Sequence, residues 1–191
     1  MKKIALGARR LLYPMPAVLV GANVNGKPNF LTIAWCGIVQ SEPPMISVAL
    51  RKDRYTLPGI KENGAFSVNI ASTEMVVATD YCGITSGRDV DKSGVFETFY
   101  GDLKTAPMIE ECPINMECKL AHTLDLGGTH ELIIGEIVQS YAKEECLTDG
   151  EPDGKKIDPI IFTTGDLNYW KLGEPIGKAF RIGKEFTPSK E

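Results

Sequence analysis

The 191-residue sequence lacks the motifs that mark the common cofactor-binding and hydrolytic folds. No Gly-x-Gly-x-x-Gly follows a strand and opens a helix, so a dinucleotide-binding fold is not indicated, and no phosphate-binding P-loop is present. Gly-x-Ser-x-Gly is also missing, and the only histidines are His122 and His130. A serine or cysteine hydrolase would therefore have almost no general base, and chemistry supplied by a bound cofactor becomes more attractive.

A block of basic residues and a long apolar run are absent as well. The 21 basic and 25 acidic side chains give a formal charge of -4 and are spread along the chain, so nucleic acid is not an expected partner. Arg9 and Arg10 interrupt the basic N-terminus before an apolar signal-peptide stretch can form, and no segment approaches the length that spans a bilayer. We expect one cytoplasmic domain over residues 1–191, no membrane partner, and a flexible tail at residues 184–191.

Cysteine is present, but without a pairing pattern. The odd number of cysteines and the lack of Cys-x-x-Cys argue against a disulfide scaffold and against a zinc knuckle. The five residues are Cys36, Cys82, Cys112, Cys118 and Cys146. A metal site built from Cys112, Cys118 and His122 is the alternative, since a strand over residues 114–122 would place Cys118 and His122 on one inward face. Ordinary core residues would lie there too, so we expect free, mostly buried thiols and no metal site.

Apolar periodicity predicts a first hairpin and a third strand. Residues 17–24 and 29–35 are apolar runs on either side of residues 25–28 (NGKP). Asn-Gly between two such runs is the strongest short signal for a β-hairpin, because both residues tolerate the positive φ of a tight turn. After the extended residues 42–44, every second residue of 45–50 is a larger apolar one, which predicts a third strand directly after the second.

The middle of the chain predicts a short helix followed by a strand. Thr56 is a plausible N-cap, Pro58 would lie in the first turn, and Gly64 would lie just past the end of a helix over residues 55–63. Residues 65–70 return to strand-like alternation.

A second helix, a loop and another hairpin come next. The Ser-Thr-Glu start of residues 72–81 predicts a helix, and residues 82–92 (CGITSGRDVDK) are polar and glycine-punctuated, which predicts a surface loop. Loops of this kind often carry function. Residues 115–123 and 130–142 predict two long strands joined by a glycine-containing turn at 124–129.

The fold class follows from this order of elements. Residues 159–162 predict a short final strand, and residues 169–173 form an aromatic segment near the C-terminus. Six or seven strands joined by hairpins, with two short helices inserted, predict a mainly β fold. An antiparallel β-barrel describes them better than a doubly wound α/β sheet.

Six segments also match the pattern of one protein family in order and spacing. They are residues 13–20 (YPMPAVLV), 29–35 (NFLTIAW), 47–51 (SVALR) continuing to Tyr55-Thr56, 83–87 (GITSG) continuing to Asp91-Lys92, His130 with residues 135–138 (GEIV), and Tyr169 with Leu172-Gly173. Together they resemble the flavin reductase-like family of FMN-binding split barrels, and most closely its flavoredoxin branch. The resemblance covers nearly the whole chain.

This resemblance implies a six-stranded Greek-key split β-barrel that forms a homodimer and holds one FMN per subunit near the subunit interface. The strand at residues 29–35 would run beside the isoalloxazine ring, because a strand edge offers backbone N–H and C=O groups at the spacing of the pyrimidine end of the flavin. The residues assigned to this contact are Asn29, Thr32, Ile33, Ala34 and Trp35. For Trp35, a core or interface aromatic is an equal alternative.

For the FMN phosphate, the resemblance points to the end of the third strand and the start of the first helix, from Arg51 through Thr56, together with Ser86 and Lys92 of the polar loop. N–H groups at a helix N-terminus, a hydroxyl and a lysine are the groups that suit an anion. For Thr56 a plain N-cap is the alternative, and the two roles are compatible. For Arg51, Arg88 and Lys92 the alternative is a solvated surface charge.

The resemblance also implies two contacts from later in the chain. The position of His130 lies near the flavin across the dimer in the family, and Tyr169 would cover the ring from the C-terminal segment. A hydrogen-bonded histidine at a strand end is an equal alternative for His130. Packing of the C-terminal arm against the barrel is an alternative for Tyr169 and the better interpretation of Trp170.

Two activities remain open at this stage. A flavoredoxin-like carrier would hold FMN and exchange electrons with a redox protein partner or a small-molecule acceptor. An NAD(P)H-dependent flavin reductase would instead take a hydride from NADH or NADPH. A pyridoxamine-phosphate oxidase on a related barrel fits less well, because residues 29–35 and the polar loop match the reductase pattern. No catalytic residue can be assigned from the sequence.

Overall fold

The computed structural model describes residues 1–188 and is mainly β. Its strands are β1 (Met15–Pro16), β2 (Val18–Val24), β3 (Lys27–Ile33), β4 (Cys36–Ser41), β5 (Pro44–Arg51), β6 (Ala65–Ile70), β7 (Thr98–Phe99), β8 (Met108–Ile109), β9 (Ile114–Asp125), β10 (His130–Ala142), β11 (Leu147–Thr148), β12 (Glu151–Pro152), β13 (Ile161–Thr163) and β14 (Asn168–Trp170). The helices are α1 (Thr56–Asn63), α2 (Val76–Ile84) and α3 (Gly154–Ile157), with 3₁₀ segments at Thr73–Met75, Glu144–Cys146 and Ile182–Glu185.

The predicted C-terminal tail is only partly covered by the structure. Residues 189–191 lie outside the described residues. Lys184 and Glu185, which the sequence assigned to the tail, belong to the last 3₁₀ segment. No helix of the described residues is both long and apolar enough to cross a membrane.

Seven strands form one antiparallel sheet in the order β3-β2-β6-β9-β10-β5-β4. The sheet curls until β3 also contacts β5, and the backbone N–H of Ala49 donates to the carbonyl of Trp35 at 2.9 Å. The inward side chains therefore meet in one closed core, as the predicted antiparallel barrel requires. The buried members of this core are Val18, Val20, Ala22, Leu31, Ile46, Val48, Leu50, Leu57, Ile60, Phe66, Val68, Cys118 and Ile133.

The predicted hairpin is confirmed, and its turn has the backbone that the sequence requires. Asn25 has φ 51° and Gly26 has φ 76°, so both central residues occupy the left-handed region. The second strand of the hairpin, β3, ends at Ile33 rather than at Trp35, where the sequence placed its end. Trp35 instead lies on the short connection between β3 and β4.

Strand β4 was missed from the sequence, where the chain was expected to pass directly to the third strand. It pairs with β5 from Cys36 opposite Val48 to Ser41 opposite Pro44. Five of its six residues are exposed, so β4 has no buried face that could produce apolar alternation. The main sheet consequently has seven strands instead of the six implied by the family resemblance.

Helix α1 closes one end of the barrel and corrects the predicted N-cap. The capping position is Tyr55, and Thr56 is the first helical residue. Tyr55 already has helical dihedrals, φ -58° and ψ -28°, so the helix begins ahead of Thr56, and the Thr56 hydroxyl accepts from a side chain of β3. At the other end the prediction is confirmed, because Gly64 adopts φ 62° and its N–H donates to the carbonyl of Ile60 at 3.0 Å.

Helix α2 packs on the outer surface of β2 and β3 and forms a second core there. Its buried members are Ala17, Leu19, Phe30, Ala71, Cys82, Phe96, Ile109, Cys112 and Ile160. The helix continues to Ile84, so the first three residues of the predicted surface loop are helical. Near the C-terminus, β1, β13 and β14 form a separate three-stranded sheet that positions Phe162 and Tyr169 next to each other.

The predicted strand pair β9–β10 is confirmed, but an irregularity changes which residues face the core. Gly135 lies opposite Leu120 and Ile134 lies opposite His122, so Ala121 is an extra residue that reverses the alternation. His122 is therefore exposed, and the prediction that it shares an inward face with Cys118 is wrong. All five cysteines are free, and the described residues contain no cluster that could hold a metal ion.

Candidate functional site

Two adjoining cavities lie along β3, which pairs only with β2 and so stands at the end of the main sheet order. The polar cavity, of about 260 Å³, is bounded by Asn29, residues 53–56 and 85–89, and Lys92. The aromatic cavity, of about 150 Å³, is bounded by residues 32–35, 49–51 and His130. Both are also lined by Leu31 and Arg54. Together they form one groove that runs along β3 from Asn29 to the connection at Trp35.

The N-terminus of α1 opens into the polar cavity. Thr56 and Asn29 are buried there, and Asn29 Nδ2 donates to Thr56 Oγ1 at 2.8 Å. Since the hydroxyl oxygen accepts this bond, the hydroxyl proton of Thr56 is left to donate to a ligand. The positive end of the helix dipole faces the same space, so an anion is the ligand that this wall favours.

A tight turn at residues 86–90 forms the opposite wall. The backbone N–H groups of Asp89 and Val90 both donate to the carbonyl of Ser86 at 3.1 Å, and the N–H of Arg88 donates to Ser86 Oγ at 3.2 Å. Gly87 lies so close to Asn29 and Tyr55 that an added Cβ would collide with both side chains. The turn is therefore packed directly against β3 and α1, with the Ser86 hydroxyl bordering the cavity.

Lys92 is buried, and its predicted place on a surface loop is wrong. Its side chain is 3% exposed, and its ammonium group donates to the carbonyls of Phe30 at 2.5 Å, Thr85 at 3.1 Å and Cys82 at 3.3 Å. The partners are backbone atoms at the end of α2 and within β3, and such partners leave no trace in a sequence. Burial lowers the pKa of Lys92. No carboxylate forms an ion pair with Lys92 among the described residues, so a positive charge stands in the cavity wall without an acidic partner.

The arginines near the groove differ in whether their guanidinium groups already have hydrogen-bond partners within the protein. Arg51 forms a two-point contact with Asp53, at 3.1 Å and 2.8 Å, on the exposed surface. The guanidinium of Arg88 donates to the carbonyl of Asp53 at 2.7 Å and ties the turn at 86–90 to the β5–α1 connection. Arg54 borders both cavities, although the sequence did not single it out. Its neighbours Arg51 and Lys52 are equally charged, so no signal in the sequence distinguishes Arg54.

Trp35 and His130 stack on each other in the aromatic cavity. Their ring centroids are 4.4 Å apart with an interplanar angle of 29°, and the guanidinium of Arg10 lies 5.4 Å from the Trp35 ring. His130 Nδ1 is 2.9 Å from the hydroxyl of Thr129. Partial burial, and then the nearby charge of Arg51, lower the pKa of His130 from its ordinary 6.5. The imidazole is therefore neutral at neutral pH.

Most side chains of residues 32–34, at the end of β3 and directly after it, make contacts within the protein and are not available to a ligand. The Thr32 hydroxyl donates to the carbonyl of Thr79 on α2, and Ile33 packs against the barrel core. Ala34 is small and leaves the backbone accessible. What this part of β3 offers to a ligand is therefore its backbone and the flat surface beside it.

Tyr169 lies on the other side of β3, in a separate apolar cleft. The cleft has a volume of about 330 Å³ and shares residues 32–34 with the aromatic cavity. The Tyr169 hydroxyl donates to Asp80 Oδ1 at 2.8 Å. Trp170 is half exposed, and its Nε1 donates to the Thr163 hydroxyl on the neighbouring strand β13 at 2.9 Å, so packing of the C-terminal arm against the barrel through Trp170 stays a prediction.

The structure thus groups the residues that the sequence selected into three places. Asn29, Thr56, Ser86 and Lys92 surround the polar cavity, and Trp35, Arg51 and His130 border the aromatic cavity together with residues 32–34. Tyr169 stands apart in the apolar cleft. Asp53, Arg54 and Tyr55 lie within the segment from Arg51 through Thr56 but were not named individually, and Asp80, Thr85 and Asp89 are further polar wall residues that the sequence did not assign.

With this geometry established, comparison with known proteins identifies the family. Residues 8–171 match the model of the flavin reductase like domain, and the chain belongs to that family. The structure superimposes on a flavoredoxin from Methanosarcina acetivorans with a TM-score of 0.93 at 48% identity, covering 96% of this chain and 98% of that one. For the flavoredoxin of Desulfovibrio vulgaris (Miyazaki F) the TM-score is 0.89 at 42% identity, covering 95% and 100% of the two chains.

A curated relative comes from Archaeoglobus fulgidus and bears the name ferric-chelate reductase (NAD(P)H). It is 33% identical over 140 residues, which are 70% of this chain and 72% of the relative. The chain is therefore similar both to flavoredoxins and to a protein named as a reductase.

The Trp35–His130 stack predicts a pH-dependent fluorescence signal. In a Trp170→Phe background, which leaves Trp35 as the only tryptophan, emission should fall as the pH is lowered, because an imidazolium in contact with an indole quenches it more than a neutral imidazole does. The midpoint should lie below 6.5, since the pKa of His130 is lowered. The control is His130→Asn in the same background, which should remove the transition. A midpoint above 6.5, or a transition that survives in this variant, would contradict the described stack.

Proposed function

We propose that this chain binds FMN in the groove along β3 and transfers electrons through it as a flavoredoxin-like redox protein. The observation that carries the proposal is the near-complete structural match to two flavoredoxins. FMN supplies a ring that can accept and return electrons, and the contribution of the chain is to bind, orient and shield that ring.

The polar cavity suits the phosphate of FMN. Thr56 and Ser86 carry hydroxyl groups at its wall, and the N-terminus of α1 adds oriented backbone dipoles. Because the Lys92 protons are directed at three carbonyls, we assign Lys92 to charge stabilisation rather than to a direct hydrogen bond with the phosphate. A buried positive charge next to the cavity is worth more than an exposed one, since little water screens it.

The aromatic cavity suits the isoalloxazine ring. Thr32 and Ile33 at the end of β3 present a strand edge, Ala34 directly after them has a small side chain, and the paired rings of Trp35 and His130 form an aromatic wall. A neutral His130 can donate or accept a hydrogen bond at a flavin edge without adding charge. Arg54, at the junction of the two cavities, is positioned between the expected sites of the phosphate and the ring.

A second candidate function is an NAD(P)H-dependent flavin reductase, which is favoured by the similarity to the reductase from Archaeoglobus fulgidus. The two functions differ in the electron donor. A carrier would receive electrons from a redox protein partner or a small molecule, whereas a reductase would be reduced directly by NADH or NADPH.

The experiment that tests the proposed function begins with the purified protein. It should be yellow, and the compound released on denaturation should be FMN. Anaerobic stopped-flow mixing with NADH and with NADPH should leave the bound flavin oxidised, whereas dithionite should bleach it. Rapid bleaching by either nicotinamide would favour the reductase, and a colourless protein that does not take up added FMN would refute both functions.

We also propose that the protein acts as a homodimer. Strand β4 ends the main sheet, and its Ile38 and Val39 are 65% and 50% exposed. Unprotected apolar edge strands are uncommon in soluble proteins, and a second copy would cover this one. Trp35 directly precedes β4, so a partner on β4 would also border the aromatic cavity and help to exclude water from a bound ring.

The dimer proposal predicts a specific effect of Ile38→Asp. A charge in a buried interface should shift the protein from two chains to one in sedimentation experiments, and FMN affinity should fall with it. Val77→Asp is the matched control, because Val77 is 80% exposed on α2, away from β4. A single-chain wild-type protein that still binds FMN tightly would refute the dimer, as would an Ile38→Asp protein that sediments unchanged.

Lys92→Met should separate the binding of FMN from that of riboflavin. Losing the buried charge should weaken FMN binding by roughly one to two orders of magnitude, whereas riboflavin, which lacks the phosphate, should lose little. The free energy of unfolding should also fall, by about 1–3 kcal/mol, since three carbonyls lose their donor. Titration calorimetry and urea unfolding measure the two effects.

Lys27→Met is the matched control, because Lys27 forms an exposed ion pair with Asp91 on the same loop. Exposed pairs contribute little, so both measurements should stay close to the wild-type values. Equal losses of FMN and riboflavin in Lys92→Met would mean that Lys92 acts through the loop structure. If FMN affinity did not change at all, the phosphate assignment would be wrong.

A further inference from the structure

The apolar cleft beyond β3 contains one pair of polar side chains, Asp80 and Tyr169, that has no role in the proposed flavin site. Its walls are mainly apolar side chains and the backbone of residues 32–34, and they close around the hydrogen-bonded pair of Asp80 and Tyr169. At about 330 Å³ the cleft is large enough for a single small ring. Ile84 and Leu167, which are 76% and 73% exposed, flank its opening.

The hydrogen bonds already present determine which ligand atoms the cleft can satisfy. Burial, together with the bond to Asp80, raises the pKa of Tyr169 to about 12, so the phenol keeps its proton and donates it to Asp80 Oδ1. The second carboxylate oxygen of Asp80 and a lone pair of the phenol oxygen then remain as acceptors. Thr32 cannot supply a donor, because its hydroxyl proton is used on the carbonyl of Thr79.

The charge of the cleft also favours a ligand that donates a hydrogen bond. No lysine, arginine or histidine lines it within the described part of the chain, and Asp80 forms no ion pair there. An anionic ligand would therefore meet an uncompensated carboxylate. A ligand that brings a hydrogen-bond donor would relieve that carboxylate and bury its apolar surface at the same time.

We infer that the apolar cleft is a second ligand site, for a small planar and mainly apolar molecule that carries an O–H or N–H donor. Asp80 and Tyr169 accept the donor, and the apolar walls bind the ring. This site is built from the chain's own residues and does not require a bound flavin. Because the cleft shares residues 32–34 with the aromatic cavity, its ligand would lie across β3 from that cavity.

The test uses two probes of nearly equal shape, para-cresol, which has the donor, and para-methylanisole, which does not. Titration followed by NMR should show para-cresol binding roughly tenfold more tightly, as a hydrogen bond to a charged group provides. Asp80→Asn should remove most of this preference. The amide oxygen can still accept from Tyr169, so the tyrosine keeps its position in the variant.

Two further variants test the location. Ile84→Trp should obstruct the opening and weaken both probes, whereas Val77→Trp, on the same helix but outside the cleft, should leave both unchanged. Equal binding of the two probes to wild type, or no binding of either, would overturn the inference, as would a preference that persists in Asp80→Asn. Each titration is run with and without FMN. Loss of probe binding on FMN addition would mean that the cofactor occupies the cleft, and would also overturn it.

Discussion

The polar end of the groove depends on one buried ammonium group. Lys92 donates hydrogen bonds to three carbonyls. One belongs to Phe30 of β3, one to Cys82 near the end of α2, and one to Thr85, which directly follows α2. Moving the loop away would leave a charge and three acceptors without partners in a buried environment, which is costly. The turn at 86–90 is held in addition by the close packing of Gly87 and by the Arg88 contact with Asp53. The wall that faces Thr56 is therefore in place before any ligand binds, and less ordering free energy is lost on binding.

The position of β3 in the sheet explains why two cavities and a cleft meet there. As the end strand, β3 has one edge without a ladder partner, and both ligand sites proposed above share residues 32–34, at the end of β3 and directly after it. The two sides differ in charge. The groove walls contain four basic and two acidic residues, namely Arg51, Arg54, Arg88, Lys92, Asp53 and Asp89, whereas Asp80 is the charged residue that lines the cleft in the described part of the chain. One short segment of backbone can therefore separate an anionic cofactor from a ligand that donates a hydrogen bond.

The sequence predicted those parts of the fold that local chemistry determines. The Asn25-Gly26 turn, the Gly64 cap and the long β9–β10 pair follow from backbone preferences and apolar alternation, and all three were found. Strand β4 was not predicted, because a strand with almost no buried side chains has no alternation to detect. His122 was misplaced, because one extra residue at Ala121 reverses the facing of the strand and leaves no signal in composition.

Within the site, the sequence could identify residue types and their approximate grouping, but not their partners. Lys92 was recognised by its place in the polar loop, and its burial was missed because its partners are carbonyls, which every residue has. Asp80 was not selected, since its pairing with Tyr169 joins positions 89 residues apart. Arg54 has the same charge as its neighbours Arg51 and Lys52, and only the path of the backbone after β5 places it in the walls of both cavities.

In the proposed function, the groove along β3 holds FMN with its phosphate beside the N-terminus of α1. A crystal structure of the protein with FMN tests this most directly. We expect the phosphate within hydrogen-bond distance of the Thr56 hydroxyl, with Lys92 still directed at its three carbonyls and the ring beside residues 32–35. A phosphate located elsewhere on the chain, or a ring lying in the apolar cleft with the groove empty, would contradict it.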